Sequence, residues 1–316
     1  MVRPNGELLL TRAKPTAQLY LLESPYSESP KATLLHEFTS IDGVGCIAEI
    51  RPDAFVVMGS NLTESGNGIA GTFQTWEVIL PPEGNQLSLV RKITDMPEAV
   101  YLNGATPVVP ADFNDNDDRS TDTSVALIAD STLGAVFRLD VDSGRYEEAF
   151  RDPAMTPVPG EAYGINGIKI RDGFLYFDNS FTLDLYRVLL AADRYSVTGG
   201  PAARIVGTVN GSGAPFVDDF AFGADGAVWV CTNLGDAIVL LRPMEGADGG
   251  AFEPPVVVVG ADTQLTVAGA AAAVFGTAMG DGHTLYVTTS GALAAPVNGT
   301  VIEPAKVVAV DTRRCA

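Results

Sequence analysis

Short apolar runs that end in small polar residues recur along the chain, and each is followed by a second apolar run. The first runs lie at residues 6–11, 54–60, 125–131, 174–180, 228–233 and 285–290. The second runs lie at residues 19–22, 75–80, 135–141, 185–190, 237–241 and 306–311. Their β-branched and aromatic content, punctuated by Gly, Asp and Pro, predicts six pairs of β-strands.

Further apolar runs flank these pairs and complete a repeating unit of four strands. The runs expected to lie innermost are 46–50, 103–108, 166–170, 219–222 and 274–279, and those expected outermost are 33–38, 87–93, 146–150, 204–209 and 256–259. The small-residue segment 268–273 is interpreted as a loop that leads into a strand. Four strands in each of six units predict an all-β fold, a six-bladed β-propeller with four-stranded blades around a central channel.

The predicted strand count falls short at both ends of the chain. The first unit has only residues 1–3 in the innermost position, and the sixth unit lacks an outermost strand. We interpret residues 1–316 as a single propeller domain whose N-terminal closing strand lies upstream of residue 1. The seam between the first and last blades is then expected to be the least stable part of the ring.

The charge balance limits the partners that the chain can have. It carries 39 acidic and 20 basic side chains in 316 residues, a formal net charge of −19. This excess of negative charge repels phosphate backbones and anionic lipids, so neither nucleic acid nor membrane is expected as a partner. No apolar run approaches the ~20 residues of a membrane-spanning helix. A small molecule remains the expected partner.

The histidines, cysteines and sequons indicate less about function than the charge balance does. His36 is predicted on an outer strand and His283 in a turn on the far face, which argues against a Ser-His-Asp hydrolase. The cysteines match no zinc or redox motif; they are Cys46, Cys231 and Cys315. Three sequons would suit a secreted chain, namely Asn61, Asn210 and Asn298. Because no signal region follows Met1, an upstream signal peptide would be needed and the localisation is left open.

Four longer segments interrupt the repeats. Segments 59–73, 152–165 and 290–304 are expected on one face, either as lids and binding loops or as plain surface connections. The aspartate-rich segment 110–123 is expected on the opposite face. It matches a calcium loop only superficially, because Asp117 and Thr123 stand where such a loop needs Gly and Glu. A solvated acidic loop is the better interpretation.

Polar and aromatic side chains collect at one mouth of the predicted channel. This mouth gathers the loops that lead into the innermost strands and the loops that join the second and third strands of each blade. The first set contributes Tyr101, Asn103, Met155, Tyr163, Asn166, Phe216, Asp218 and Asp219. The second set contributes Ser131, Asn179, Phe181, Asn233 and Ser290, and Phe275 is added from the last innermost strand. Apolar walls with a few converging polar groups are typical of a small-molecule site.

Two motifs carry a resemblance to a known family. Residues 166–170 with 172–177, and residues 218–222 with 225–230, resemble the fourth- and fifth-blade signatures of the gluconolactonase, senescence-marker-protein and luciferin-regenerating propellers. Strictosidine-synthase-like propellers are more distant relatives of that family. Segments 97–104 and 306–312 are similar to its fungal branch, which includes hetero-Diels–Alderases of tropolone sesquiterpenoid biosynthesis.

The resemblance implies residue roles at the channel mouth. In the metal-dependent lactonases of the family a divalent cation is held by a Glu, an Asn and an Asp, and a second Asn touches the substrate. By motif, Asn166 and Asp218 match the Asn and Asp ligands and Asn103 matches the substrate residue, whereas the Glu would precede Met1. Oxygen ligands of this kind suit Ca²⁺, Mg²⁺ or Mn²⁺.

Three hypotheses follow for the function. The first is a fungal secondary-metabolism pericyclase that needs no cofactor and joins a tropolone o-quinone methide to a terpene alkene, with Asn103, Asn166, Asp218 and Asp219 as catalytic residues. The second is a metal-dependent lactonase, and the third is a non-catalytic ligand- or protein-binding propeller. The first is favoured because the metal ligand set is one residue short and the loops at the mouth are rich in apolar and aromatic residues.

Overall fold

The computed structural model describes residues 1–82, 84–108, 123–197, 203–246, 250–278 and 280–315, which form twenty-two β-strands. The first three sheets contain β1 (Leu8–Arg12), β2 (Gln18–Glu23), β3 (Lys31–Glu37); β4 (Gly43–Arg51), β5 (Ala54–Ser60), β6 (Gln74–Ile79), β7 (Leu89–Asp95); β8 (Leu102–Pro107), β9 (Val125–Asp130), β10 (Ala135–Asp140), β11 (Tyr146–Arg151). The last three contain β12 (Ile165–Arg171), β13 (Phe174–Asn179), β14 (Asp184–Leu189), β15 (Arg204–Thr208); β16 (Phe220–Phe222), β17 (Val228–Cys231), β18 (Ala237–Leu241), β19 (Val256–Gly260); β20 (Ala270–Phe275), β21 (Thr284–Thr289), β22 (Val307–Asp311).

Within every sheet, strands that follow one another in the chain pair side by side and antiparallel. Four of the sheets have four strands, and the first and last have three. We call the sheets blades one to six in chain order. The predicted all-β fold, a six-bladed β-propeller, is confirmed. None of the described residues belongs to a helix long and apolar enough to cross a membrane.

The sixth innermost strand begins earlier than the sequence pattern predicts. Segment 268–273 was interpreted as a loop, but β20 spans Ala270–Phe275, so that interpretation was wrong. Alanine is a weak strand former, yet Ala270 and Ala273 are buried in the same cluster as Leu285 and Val287 of the paired strand. Packing between blades therefore overrides local propensity here. The acidic segment 110–123 lies outside the described residues apart from Thr123.

The hydrophobic core is divided among the interfaces between adjacent blades. One cluster of buried residues fills each of the six interfaces, and the cluster between blades two and three is the largest. The cluster between blades six and one is the smallest, with only Val2, Leu8 and Tyr286 fully buried. Because buried apolar area is the main stabilising term in such a ring, the interface between blades six and one has the least of it.

Arg3 compensates in part for this thin interface. Its side chain is fully buried, and its Nε donates to the Asp53 carboxylate of blade two at 2.8 Å. Its Nη2 donates to the Pro81 carbonyl, also in blade two, at 2.8 Å. On the other side, the Thr277 hydroxyl after β20 donates to the Arg3 carbonyl at 2.9 Å. One residue thus links blade six to blade two across blade one.

Replacing this residue tests its role in ring closure. Arg3→Met keeps an apolar stem but leaves the buried Asp53 carboxylate without a counter-charge, so the free energy of unfolding should fall by about 3–5 kcal/mol. Arg313→Met, which removes an exposed ion pair with Asp311, should cost far less, because solvent screens exposed ion pairs. Urea unfolding of both variants provides the measurement, and equal losses would contradict the role assigned to Arg3.

Candidate functional site

A β-bulge lies near one end of the innermost strands and determines which side chains reach the channel mouth. In blade four, Ile165 pairs with Asn179 and Ile168 pairs with Phe177, so two residues oppose Asp178 alone. Blade three repeats this pattern between the pairs Leu102–Asp130 and Ala105–Ile128. In blade five the same two-to-one pattern is made by hydrogen bonds of 2.9 Å from Asp218 N to Cys231 O and from Cys231 N to Asp219 O. Bulges of this kind re-aim side chains next to binding sites.

The first bulge residue of three consecutive blades is polar. These residues are Asn103, Asn166 and Asp218, whereas blades two and six place Gly45 and Ala271 at the same position. The strands approach closely: a Cβ on Gly104 would lie 2.3 Å from the Asn166 carbonyl oxygen. The Gly167 N–H donates to the Asp218 carbonyl at 3.3 Å. The three side chains predicted to meet at one mouth therefore come from the same position of adjoining blades.

Asp218 is the titratable centre of this group. Its Oδ2 accepts a hydrogen bond of 2.6 Å from the Asn233 amide. Burial is the main cause that raises the pKa of Asp218 to about 7; the charge of Asp219 adds to the rise, and hydrogen bonds from Asn233 and Asn166 oppose it. The carboxyl is therefore partly protonated near neutral pH, so it can either donate or accept a hydrogen bond.

Asn166 presents an unused acceptor. Its Nδ2 donates to the Ser180 hydroxyl at 2.9 Å, which fixes the orientation of the amide. Its Oδ1 is buried and has no hydrogen-bond partner among the described residues. A buried unpaired acceptor is costly, so this atom is suited to meet a donor on a ligand.

Asp178 is a buried acid that the sequence analysis missed. It is only 2% exposed, and its Oδ1 accepts from the Gly167 N–H at 2.8 Å, within the bulge. Its Oδ2 has no partner in the described part of the chain. Burial, assisted by the charge of Asp219, raises the pKa of Asp178 well above its ordinary value. An acid directly after the apolar run 174–177, still within the predicted strand, was the available signal.

Asp219 is engaged by a lysine inside the channel. Its Oδ1 lies 2.6 Å from Lys169 Nζ, and that ammonium also sits 5.3 Å from the centre of the Phe220 ring. Lys169 lies on an innermost strand and Asp219 directly precedes one, yet the Lys169 side chain is 30% exposed and the Asp219 side chain is 23% exposed. Both side chains of this ion pair therefore remain partly accessible to solvent. The role predicted for Asp219 as a catalytic group is untested by these contacts.

Aromatic rings line one flank of the mouth. The rings of Tyr101 and Tyr163 are 4.7 Å apart, and Phe73 packs edge-on at 6.2 Å from Tyr101. Burial is the main cause that raises the pKa of Tyr101, followed by the charge of Tyr163 and then by the charge of Asp218. Tyr101 therefore lies near the carboxyl group of Asp218. On another flank Phe181 and Phe216 pack edge-to-face at 5.2 Å.

A small hairpin from blade two reaches across this mouth. Leu62 bridges to Gly68 at its base, within segment 59–73, which was predicted as either a lid or binding loop or a plain surface connection. Near the tip, Lys14 Nζ of blade one donates to the Glu64 carbonyl at 3.0 Å. On the other side, the Tyr163 hydroxyl donates to Asn67 Oδ1 at 3.1 Å. The hairpin therefore connects the first blade with the loop leading into the fourth.

Other predicted site residues belong to the framework. Met155 is fully buried in the cluster between blades three and four. Asn179 is fully buried, and its amide donates to the carbonyls of Ala154 and Thr156 at 2.9 and 3.0 Å. Phe275 pairs with Leu285 at the opposite end of its strand and packs against Trp229, because β20 begins earlier than predicted. Ser290 does lie at the mouth end, next to Thr289 of the pair Ala270–Thr289.

The described residues do not supply a complete ligand set for a divalent cation. Asn166 Oδ1 and Asp218 Oδ1 are available oxygens, but Asp218 Oδ2 is taken by Asn233. The equivalent position of blade two is Gly45, which has no side-chain atom that could coordinate a cation. No group of three or more His, Cys, Asp or Glu side chains in the described ranges is placed to hold a metal. Even with the unpartnered Asp178 Oδ2 added, these side-chain oxygens are few for cations that prefer six or more.

The fold is a six-bladed β-propeller, and one end of its innermost strands gathers amide, carboxyl and aromatic side chains. A candidate hetero-Diels–Alderase of Sarocladium schorii, asR5, is 28% identical over 342 aligned residues, which cover 98% of this chain and 79% of that protein. A candidate hetero-Diels–Alderase of a Phoma species is 29% identical over 310 residues, covering 91% and 81%. No protein-family model matches the chain. The resemblance to a branch that includes hetero-Diels–Alderases is thereby confirmed.

Solved structures agree on the fold. The luciferin-regenerating enzyme matches with a TM-score of 0.51 at 12% identity over 92% of this chain and 85% of its own. The calcium-binding protein regucalcin of Agrobacterium tumefaciens gives 0.55 at 14% over 91% and 80%. A nidogen/laminin complex gives 0.59 at 13% over 98% and 90%. At such low identities these likenesses concern the fold alone.

The buried Asp178 makes stability depend on pH in a definite direction. The unfolded carboxyl loses its proton near pH 4, whereas the folded one keeps it, so this residue's contribution to stability falls as pH rises above about 4. Asp178→Asn keeps the acceptor for the Gly167 N–H and removes the titration. The free energy of unfolding of the variant relative to wild type should therefore increase between about pH 5 and pH 8. Urea unfolding across that range would contradict this if the difference stayed flat or decreased.

Proposed function

We propose that this protein is an enzyme of fungal secondary metabolism that binds an apolar small molecule at the channel mouth. The proposed reaction is a hetero-Diels–Alder cycloaddition between a tropolone o-quinone methide and a terpene alkene. Similarity along nearly the whole chain to two candidate hetero-Diels–Alderases supports the reaction class. The observation that carries the proposal is the Asp218 carboxyl, with a pKa of about 7, among amides and aromatic rings.

The cycloaddition requires little covalent chemistry from the protein. One bond forms between the exocyclic methylene carbon of the quinone methide and an alkene carbon, and a second forms between its carbonyl oxygen and the other alkene carbon. No atom leaves, and the tropolone ring recovers its conjugation. Holding the two partners in attack geometry lowers the barrier, and the rings of Tyr101, Tyr163, Phe181 and Phe216 offer flat apolar walls for this.

Asp218 supplies the electrostatic part of the proposed mechanism. Protonated, it donates a hydrogen bond to the quinone-methide oxygen, and this bond strengthens as negative charge grows there in the transition state. The same group assists the preceding loss of water: it protonates the leaving hydroxyl and takes the tropolone hydroxyl proton in return. Asn103 and Asn166 are the amides placed at equivalent positions to orient the ring oxygens.

Removing these side chains tests the site directly. Asp218→Ala and Asn166→Ala should each lower the turnover number (kcat) for a stereodefined dihydropyran adduct at least tenfold. Thermal unfolding should shift only slightly, because both groups already carry unfavourable burial. Asp142→Ala, at an exposed carboxylate paired with Arg51 outside the site, serves as the control. Wild-type rates in both site variants would remove this mouth from the mechanism.

The pH profile tests the protonated form of Asp218. Because burial raises its pKa to about 7, turnover should be highest below pH 7 and fall as the pH rises through about 7. Asp218→Asn keeps a donor but does not titrate, so its lower rate should not change over the same range. Rates measured between about pH 5 and pH 9 decide this. A wild-type rate that rises with pH would contradict a protonated donor.

A metal-dependent lactonase is the second candidate. The free Asn166 Oδ1 beside Asp218 is the observation that favours it. Lactone hydrolysis that EDTA abolishes and Ca²⁺, Mg²⁺ or Mn²⁺ restores, with one bound ion per chain, would support this candidate over the first. Cycloaddition that persists in EDTA would support the cofactor-independent pericyclase. Ligand binding without turnover of either substrate would support a binding propeller.

A further inference from the structure

One position of the blade repeat breaks its pattern in blade five. In four blades the position beside the bulge at the mouth end of the second strand is a serine: Ser60, which is the last residue of β5, and Ser131, Ser180 and Ser290, which directly follow β9, β13 and β21. In blade five this residue is Asn233. The backbone N–H of the preceding residue, Thr232, still bonds to the third strand, since it donates to the Ala237 carbonyl at 3.1 Å. Since the blades repeat the same architecture, a side chain that differs at one position points to a local requirement.

The same position contacts the first bulge residue of its own blade. In blade four, Ser180 Oγ accepts from the Asn166 amide at 2.9 Å. In blade five, Asn233 Nδ2 donates to Asp218 Oδ2 at 2.6 Å. The change from serine to the longer asparagine therefore matches the change from Asn166 to Asp218 at the bulge. An amide N–H can only donate, so it matches a carboxylate oxygen that accepts.

The backbone holds Asn233 firmly in place. It opens the 3-10 turn Asn233–Gly235, in which Gly235 N donates to the Thr232 carbonyl at 2.7 Å and Asp236 N donates to the Asn233 carbonyl at 3.1 Å. Asn233 has a φ of +29°, a region that asparagine enters more easily than most residues. A short side chain on a fixed turn leaves the amide few alternative positions.

We propose that Asn233 is a positioning residue that fixes which oxygen of the Asp218 carboxyl faces the ligand. With Oδ2 occupied by the amide, Oδ1 is the oxygen left to contact the substrate, and rotation of the carboxyl would break the bond. Asn233 acts through Asp218 and does not touch the substrate. The inference rests on the proposed function of the channel mouth.

Two variants separate this role from a structural one. Asn233→Ser introduces the serine found in blades two, three, four and six, and a serine is too short to reach Asp218 Oδ2. Asn233→Asp keeps the size of the side chain and its tolerance of positive φ but removes the amide donor. Both should lower kcat about tenfold or more while KM for the terpene alkene stays within about twofold, because orientation rather than affinity is lost. Asn179→Asp, the same replacement at a buried framework amide of blade four, should instead lower the unfolding temperature.

Crystal structures of the wild type and of Asn233→Ser test, independently of turnover, whether Asn233 orients the Asp218 carboxyl. The Asp218 carboxyl should take a different side-chain rotamer, or two, in the variant. An unchanged carboxyl in the variant, or an unchanged kcat in both Asn233 variants of an active enzyme, would overturn the positioning role. If wild type forms no adduct, the proposed reaction fails, and the structural comparison still answers whether Asn233 orients Asp218.

Discussion

The two-against-one pairing in the innermost strands is the constraint on which the site depends. Side chains alternate between faces along a strand, so a regular innermost strand would point every second residue into an interblade core. In blade four the extra residue lets Ile165 and Ile168 both remain buried while Asn166 leaves the alternation. Gly167 beside it allows a close approach of blade five, because a Cβ there would lie 2.6 Å from Asp219 Oδ1 and 3.1 Å from Asp219 Cα. A polar residue is thus tolerated within an otherwise apolar strand.

Two sets of polar residues near the bulge differ in how fully their hydrogen bonds are satisfied. Those that end the second strand stabilise the framework: Asp130 accepts from the backbone N–H groups of Val100, Tyr101, Thr132 and Leu133. Asn179 serves the corresponding loop in blade four. Such groups have every hydrogen bond satisfied, so they contribute rigidity. The bulge residues, in contrast, keep unsatisfied atoms such as Asn166 Oδ1, which is the property expected of a binding site.

This division explains which parts of the site could be predicted from sequence. The six repeats and most strand bounds follow from alternation and turn residues, and Asn103, Asn166 and Asp218 follow from motifs at one position of the repeat. Asn179 could not be separated from its neighbour Ser180, because one step in register decides which of the two meets the bulge residue. Asp178 was missed because its importance depends on burial opposite the bulge. Phe275 was misplaced because the alanines of β20 are weak strand formers, and their strand depends on pairing with β21 and on burial in the cluster between blades five and six.

The ring is chemically asymmetric around its axis, and this asymmetry bears on the kind of ligand. Blades three to five present Asn, Asn and Asp at the bulge, whereas blades two and six present Gly45 and Ala271, which offer space but no hydrogen bond. No atom lies within 4 Å of where a Cβ on Gly45 would be, so this side of the mouth is open. A ligand that fits such a mouth has its oxygens on one side and a bulky apolar part on the other. A sugar lactone carries hydroxyl groups all around its ring, and those facing Gly45 and Ala271 would gain no side-chain hydrogen bond from these two positions. An oxygenated ring joined to a hydrocarbon macrocycle has the matching polarity, because only its ring edge needs hydrogen bonds.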